Sequence, residues 1–170
     1  STQAKTLFPY TTLFRSQKVV DNVASMGMAL APCTVPAAGK PSFELAEDEV
    51  EIGMGIHGEP GTHREKISSA DEITAHLMDK IFGNLTLNTG DEVAVLVNGL
   101  GATPLMELYI ANKKVAELLA AKGVKTVKTY VGNYMTSLEM AGFSVSILKV
   151  DEELKGLLFA TADTPAFVQK

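Results

Sequence analysis

Apolar and polar positions change period several times along the chain, and each change marks a predicted element. Val50, Ile52, Met54 and Ile56 alternate with their neighbours, which predicts a strand with one buried face. Upstream, residues 17–25 read as the end of a helix with Val19, Val20 and Val23 on one side, and residues 26–31 as a short buried strand. Three prolines and a glycine make residues 32–41 a loop, and residues 43–45 read as a brief edge strand. After a polar loop at 62–68, Ile73, Leu77 and Ile81 recur at helical spacing. Ser69 and Glu72 have the spacing of a capping box, and Gly83 is the stop signal. The continuous apolar run at 93–97 predicts a strand buried on both faces. Leu105, Leu108, Val115, Leu118 and Leu119 form the stripe of a long helix that reaches Lys122, with Thr103 as N-cap and Pro104 in the first turn. Residues 124–131 read as a half-exposed strand, 133–141 as a short turn-like helix, 143–150 as a strand and 151–159 as a last helix. The tail from Thr161 has few anchors. Strands alternating with helices give the α/β class. Three candidate strands precede the first good helix, so we expect a mixed sheet with helices mainly on one face.

Composition narrows this picture. At 170 residues and 46% hydrophobic, the chain can build one domain with a real core. A net charge of −5 and the lack of a basic stripe argue against a nucleic-acid surface. No apolar run approaches the roughly 20 residues of a membrane span, and the N-terminal pattern is not that of a signal peptide. A single cysteine, Cys33, excludes an internal disulfide, and the expectation is a cytoplasmic protein. The stretch from Thr6 to Ser16 has no period and resembles the translation of a widely used sequencing adapter. We therefore expect residues 1–16 to be a non-native segment and residues 17–170 to be the domain, preceded in the natural protein by further chain.

Candidate chemistry centres on His57. It follows the Val50–Ile56 alternation and stands before Gly58, Glu59, Pro60 and Gly61, which is turn chemistry. A histidine beside apolar residues is often structural, but one at a strand end beside a glycine-rich turn is also well placed to meet a ligand as base, ligand or nucleophile. Gly53 and Gly55 within the alternation suggest close approach of another backbone or of a ligand. A metal set of Cys33, His57, Glu59 and His63 matches no familiar zinc spacing, and Pro60 and Gly61 would splay it, so no metal is expected. His76 reads as a partly exposed helix residue. Residues 98–105 run from a strand through glycines into a helix, a geometry that can hold anions. They lack both the dinucleotide fingerprint and the phosphate-loop lysine, so a plain tight turn is the competing reading. Residues 134–140 read either as polar contacts or as a capped short helix. No nucleophile elbow supports a serine triad.

Four stretches together resemble dihydroxyacetone kinase: Cys33-Thr-Val-Pro-Ala-Ala-Gly-Lys-Pro41, Gly53-Met-Gly-Ile-His-Gly-Glu-Pro-Gly61, Leu100-Gly-Ala-Thr-Pro-Leu105 and Tyr134-Met-Thr-Ser-Leu-Glu-Met-Ala-Gly142. The likeness is to the C-terminal half of that family's dihydroxyacetone-binding subunit, and it extends from about residue 17 to 167. It implies a two-layer α/β domain with a six-stranded mixed sheet. It also implies that His57 is the catalytic and substrate-binding residue, holding dihydroxyacetone covalently as a hemiaminal for phosphoryl transfer. No cofactor is expected on this domain; Mg-nucleotide is expected on a partner kinase subunit or domain, and a homodimer is expected. The family's glycine-rich substrate loop and its acid/base aspartate and histidine belong to an N-terminal domain that this sequence does not contain. Little turnover is therefore expected from the chain alone. The alternatives are a non-enzymatic ligand-binding or regulatory module on the same scaffold, and a folded relic.

Overall fold

Antiparallel pairing of long apolar segments builds the centre of the molecule. In this computed structural model the described residues are 10–57 and 61–170. Helix α1 (Tyr10–Asp21) leads into strands β1 (Val23–Ala31), β2 (Glu49–Ile52) and β3 (His63–Lys66). Then come α2 (Ala70–Asn84), β4 (Glu92–Gly99), α3 (Leu105–Ala121) and β5 (Lys125–Gly132). The chain ends with β6 (Ala141–Val150), α4 (Glu152–Leu158) and a small hairpin, β7 (Ala162–Asp163) with β8 (Val168–Gln169). The six-stranded sheet has the order β3-β2-β1-β6-β4-β5. Only β4 and β5 run parallel, and α3 is their crossover; the other neighbours are antiparallel.

One sheet face carries the main core. Ile73, Leu77, Met78 and Ile81 of α2, with Leu108, Ala111, Val115 and Leu119 of α3, pack on Met28, Val50, Ile52, Val93, Val95, Val97, Val145 and Ile147. On the opposite face, Leu154 and Leu158 of α4 and Val19 of α1 cover one end, meeting Ala94, Leu148 and Val150. This is the expected two-layer α/β domain with a mixed, six-stranded sheet and its long helices on one face. Among the described residues no helix is long and apolar enough to cross a membrane.

Local chemistry explains most boundaries. Ser69 Oγ accepts from the Glu72 N–H at 3.3 Å and the Glu72 carboxylate accepts from the Ser69 N–H at 3.0 Å, completing the capping box of α2. Asp151 caps α4 by accepting from the Leu154 N–H at 2.9 Å. Other expectations are corrected. The alternation at 50–56 ends as a strand at Ile52, because Gly53 turns the chain with φ +85°. The polar stretch 62–68 contains β3, an edge strand of charged residues held by pairing with β2. Residues 43–45 form no strand; nearby there is a single bridge between Thr34 and Pro41. Residues 133–140 form no helix. Leu105 is 54% exposed, and Ala111 takes its place in the buried stripe. Gly83 lies inside the last turn of α2, which continues to Asn84.

Helix α1 starts at Tyr10 and runs through residues 16 and 17. Arg15 and Lys18 reach the Glu153 carboxylate at 3.1 and 2.7 Å, tying α1 to α4. Residues 6–9 of the adapter-like stretch lie outside the described residues. Thr103 does not cap α3, whose N-cap is Pro104 with no side-chain bond. Instead the buried Thr103 hydroxyl donates to the Gly142 carbonyl at 2.7 Å and accepts from the Gly142 N–H at 2.8 Å.

Two predictions follow from these contacts. Thr103→Val leaves the Gly142 N–H without its buried partner, while the carbonyl keeps the Leu100 N–H, and should cost about 1–3 kcal/mol in urea unfolding. Thr103→Asp, a good helix cap, should not restore that loss, whereas a capping role would require that it did. The second concerns acid. Asp91 is held below the ordinary carboxylate range by the Asn88 N–H and then Lys149, and Glu92 by Lys155. Asp151 is lowered by the Leu154 N–H and then Lys18, and Glu153 by Lys18 and then Arg15. Depressed carboxylates stabilise the fold above their unfolded pKa of about 4, and that contribution is lost as pH falls through the folded values. Melting temperature should therefore fall below about pH 4, and charge-removing variants Lys18→Met and Lys155→Met should flatten the drop.

Candidate functional site

Chain segments far apart in sequence are drawn together over one end of the sheet. Ala29, Cys33, Met54, Leu100 and Met140 form a small buried cluster, with Phe43 and Ile56 packed against it. Each of the four family-like stretches contributes to it: Cys33 from the first, Met54 and Ile56 from the second, Leu100 from the third and Met140 from the fourth. Below the cluster, the turn after β2 folds back across β1. The Gly53 N–H donates to the Gly27 carbonyl at 2.7 Å, and a Cβ on residue 27 would lie 2.6 Å from the Met54 carbonyl oxygen. Gly27 is therefore the position that lets the turn approach, and Gly53 supplies the positive φ that starts it.

His57 stands exposed at the far side of this turn, one residue after Ile56 is anchored in the cluster. Gly58, Glu59 and Pro60 lie outside the described residues. The chain that follows them is tied down. The Glu51 carboxylate, 6% exposed, accepts from the Gly61 N–H at 2.9 Å and from Arg64 Nε at 2.8 Å. The Thr62 N–H and hydroxyl both donate to the Ile52 carbonyl, at 2.7 and 3.1 Å. Rigid roots on β2 and β3 thus present an imidazole to solvent, where it can act as nucleophile or base toward an incoming ligand.

The other loops are locked by polar side chains that the sequence reading did not single out. Asn98, 1% exposed, accepts through Oδ1 from the Tyr134 and Met135 N–H groups, both at 2.9 Å, and donates from Nδ2 to the Met135 carbonyl at 2.7 Å. The main chain of residues 134 and 135 is held by one buried amide, and the stretch is not the short helix that one reading expected. Glu139 accepts from the Thr34 N–H at 2.6 Å, joining the first and fourth stretches. Its own backbone N–H, and then that of Thr34, hold this carboxyl below the ordinary range. Cys33 Sγ lies 3.5 Å from Ser137 Oγ in the same seam. The glycine-rich segment after β4 is a tight turn. Its Leu100 and Ala102 N–H groups donate to the Gly142 and Met140 carbonyls, so they do not face an anion. A Cβ on Gly101 would overlap the Leu138 carbonyl. Cys33 and His63 share no cluster of potential metal ligands among the described residues, and Glu59 is outside them.

Comparison with known proteins fits this geometry. The Dak1 domain model matches residues 11–166. The chain belongs to that family. It is 54% identical over 137 residues to the dihydroxyacetone-binding subunit DhaK of a PTS-dependent dihydroxyacetone kinase from Listeria innocua. That match covers 81% of this chain and 42% of the subunit, so the chain spans less than half the length of this relative. Among solved structures it superposes on the dihydroxyacetone kinase operon co-activator Dha-DhaQ with a TM-score of 0.82 and 36% identity, covering 94% of this chain and 50% of that one. A dihydroxyacetone kinase from C. freundii, solved with AMP-PNP and Mg2+, gives a TM-score of 0.77 at 25% identity over 95% of this chain and 30% of the kinase. Membership of the Dak1 family is thus shown.

The contact at Gly27 gives a direct test of how the His57 turn is seated. Gly27→Ala should lower stability by about 1–3 kcal/mol, because the obstructing atom is backbone and cannot swing aside. Hydrogen exchange at residues 53–57 should accelerate more than at β4, since the displaced turn is the local casualty. Equal protection in both places would show that the turn is held by something else.

Proposed function

We propose that His57 holds dihydroxyacetone covalently so that a separate nucleotide-bearing kinase subunit or domain can phosphorylate it. The observation that carries this reading is the convergence of all four family-like stretches on one cluster, with His57 exposed beside it. An imidazole nitrogen adds to the C2 carbonyl carbon of the triose: the new N–C bond forms as the carbonyl π bond breaks. The former carbonyl oxygen takes up a proton as the other ring nitrogen gives up its own, giving a neutral hemiaminal. A terminal hydroxyl of the anchored triose then receives the phosphoryl group, and reversal of the addition releases dihydroxyacetone phosphate. Covalent capture selects for a carbonyl, so glycerol, which has none, is rejected although it is similar in size.

The remaining substrate contacts, and the acid and base acting on the hydroxyl, belong in this reading to the N-terminal domain that relatives of greater length supply. Mg-nucleotide sits on the partner, either as ATP directly or as part of a phosphoenolpyruvate relay. The working assembly is a homodimer of the complete subunit in a reducing, cytoplasmic compartment; the unpaired, buried Cys33 supports such a setting. A second reading is favoured by one observation, the structural likeness to an operon co-activator: a regulatory module that binds the triose and transfers no phosphate.

The test is direct. Labelled dihydroxyacetone should give a new tetrahedral carbon signal by NMR, and mild trapping should add one triose mass to the intact protein. His57→Ala should abolish both signals, and glycerol should give neither. A folded wild-type sample without an adduct would overturn capture by this chain alone. Phosphoryl transfer on adding a nucleotide-loaded partner and the N-terminal domain separates the kinase reading from the regulatory one.

A further inference from the structure

We propose that His63, Glu65 and His76 form a binding site for a divalent transition-metal ion of the zinc class, clamping β3 onto α2. His63 and Glu65 are two apart on β3 and so share one face of the strand, and His76 reaches them from α2. Glu65 is the hinge of the group. One carboxylate oxygen is 3.0 Å from His76 Nδ1, and the other is 3.6 Å from His63 Nε2. The two rings lie with centroids 5.7 Å apart at 43°, and one ligand atom from each residue falls within 4.8 Å of the others. Ligands at about 2.0–2.1 Å around a tetrahedral zinc ion sit roughly 3.3 Å from one another. The 3.0 and 3.6 Å separations are to different oxygens of Glu65, so the carboxylate would bind through both oxygens, or the two rings would move to meet one of them.

The surroundings prepare the ligands. Thr62 Oγ1 has one proton and donates it to the Ile52 carbonyl, so at 3.0 Å it accepts from His63 Nδ1–H. That assignment leaves the lone pair of His63 on Nε2, the atom turned toward Glu65. A second hydrogen bond that fixes the tautomer of a ligating histidine is the usual support of such sites. At His76 the Nδ1 proton is hydrogen-bonded to Glu65 while no ion is bound. On coordination, Nδ1 gives its proton to solvent and Nε2 takes one up, so the ring stays neutral. Two imidazoles and one carboxylate favour Zn2+, Co2+ or Ni2+ over Mg2+ or Ca2+, with water in the remaining position.

The location gives the site a consequence. β3 is an edge strand of four residues, paired only with β2, and Ile52 faces His63 across that ladder. Its first residue follows directly on Thr62 and Gly61, the returning end of the His57 turn. An ion here would fix that end from the outside, as Glu51 does from within.

Cobalt titration of the full chain tests the proposal. Tetrahedral d–d absorption should appear with one equivalent of Co2+, Zn2+ should displace it, and excess Mg2+ should not. Zn2+ should also raise the melting temperature by mass action. His57→Ala should bind as the wild type does, while Glu65→Gln and His76→Ala should each weaken binding at least tenfold. His76→Gln serves as a second variant if the alanine form fails to fold. Binding unchanged in the folded Glu65 and His76 variants, or lost in His57→Ala, would overturn the assignment. So would wild-type protein without saturable binding, leaving the trio a surface hydrogen-bonded pair beside a third polar residue.

Discussion

A carbonyl oxygen of the His57 turn lies across the middle of β1, and much of the site depends on that crossing. Backbone can approach backbone so closely only where no side chain intervenes, and β1 has Gly27 there. A second close approach lies further along the same β1–β6 ladder. A Cβ on Gly142 would sit 2.9 Å from the Ala29 Cα, and Gly142 has φ +151°. Between these contacts, Ala29 on β1 forms part of the floor of the cluster that receives Cys33, Met54, Leu100 and Met140. The crossing fixes where the turn leaves the sheet, and the cluster fixes where it goes.

Such close packing leaves backbone groups away from water, and each must find a partner. Three buried polar side chains meet most of that demand: Thr103 at Gly142, Asn98 at residues 134 and 135, and Glu51 at Gly61. Each bonds main chain of a site loop or, for Thr103, of the first residues of β6 beside one. Because removal of such a partner strands a buried donor or acceptor, their effect on loop order exceeds the modest net gain of an ordinary hydrogen bond. The loops are consequently part of the scaffold, and His57 is presented by rigid roots although it is itself exposed.

Period and capping were legible wherever burial was one-sided or complete. The run at 93–97 is a buried strand, the Ser69–Glu72 pair caps α2, and Ile73, Leu77 and Ile81 face the core. β3 was invisible to that approach because His-Arg-Glu-Lys buries no alternating apolar face; its pairing partner, not its own sequence, makes it a strand. Thr103 had the right neighbours for a helix cap, but a tertiary partner, Gly142, competed for its hydroxyl and won. Asn98 and Glu51 look in sequence like any polar residue at a strand end, and only the fold shows that they are buried. Residues 133–140 carry helix-forming residues yet are pulled out of helix by the Asn98 amide. Of the candidate site, the four stretches that meet in the cluster were legible, while the polar groups that lock them were not.

The two-layer core also accounts for how a chain covering 42% of its relative can have an interior of its own. α2 and α3 bury their stripes completely against the sheet, with Leu77 and Val115 at 0% exposure. The outward side of α3 is different: Leu105, Met106, Tyr109 and Ile110 are all exposed and repeat at one-turn spacing. Beside it, Ile67, Ile110 and Phe143 help line a cavity of about 190 Å³. Scattered apolar side chains at a surface need no explanation, but several on one helix face make a surface suited to further protein. Because none of these four residues takes part in the main core, covering them would add stability to a fold that already closes without them. Core and outward stripe are therefore separable: the interior closes whether or not the stripe is covered.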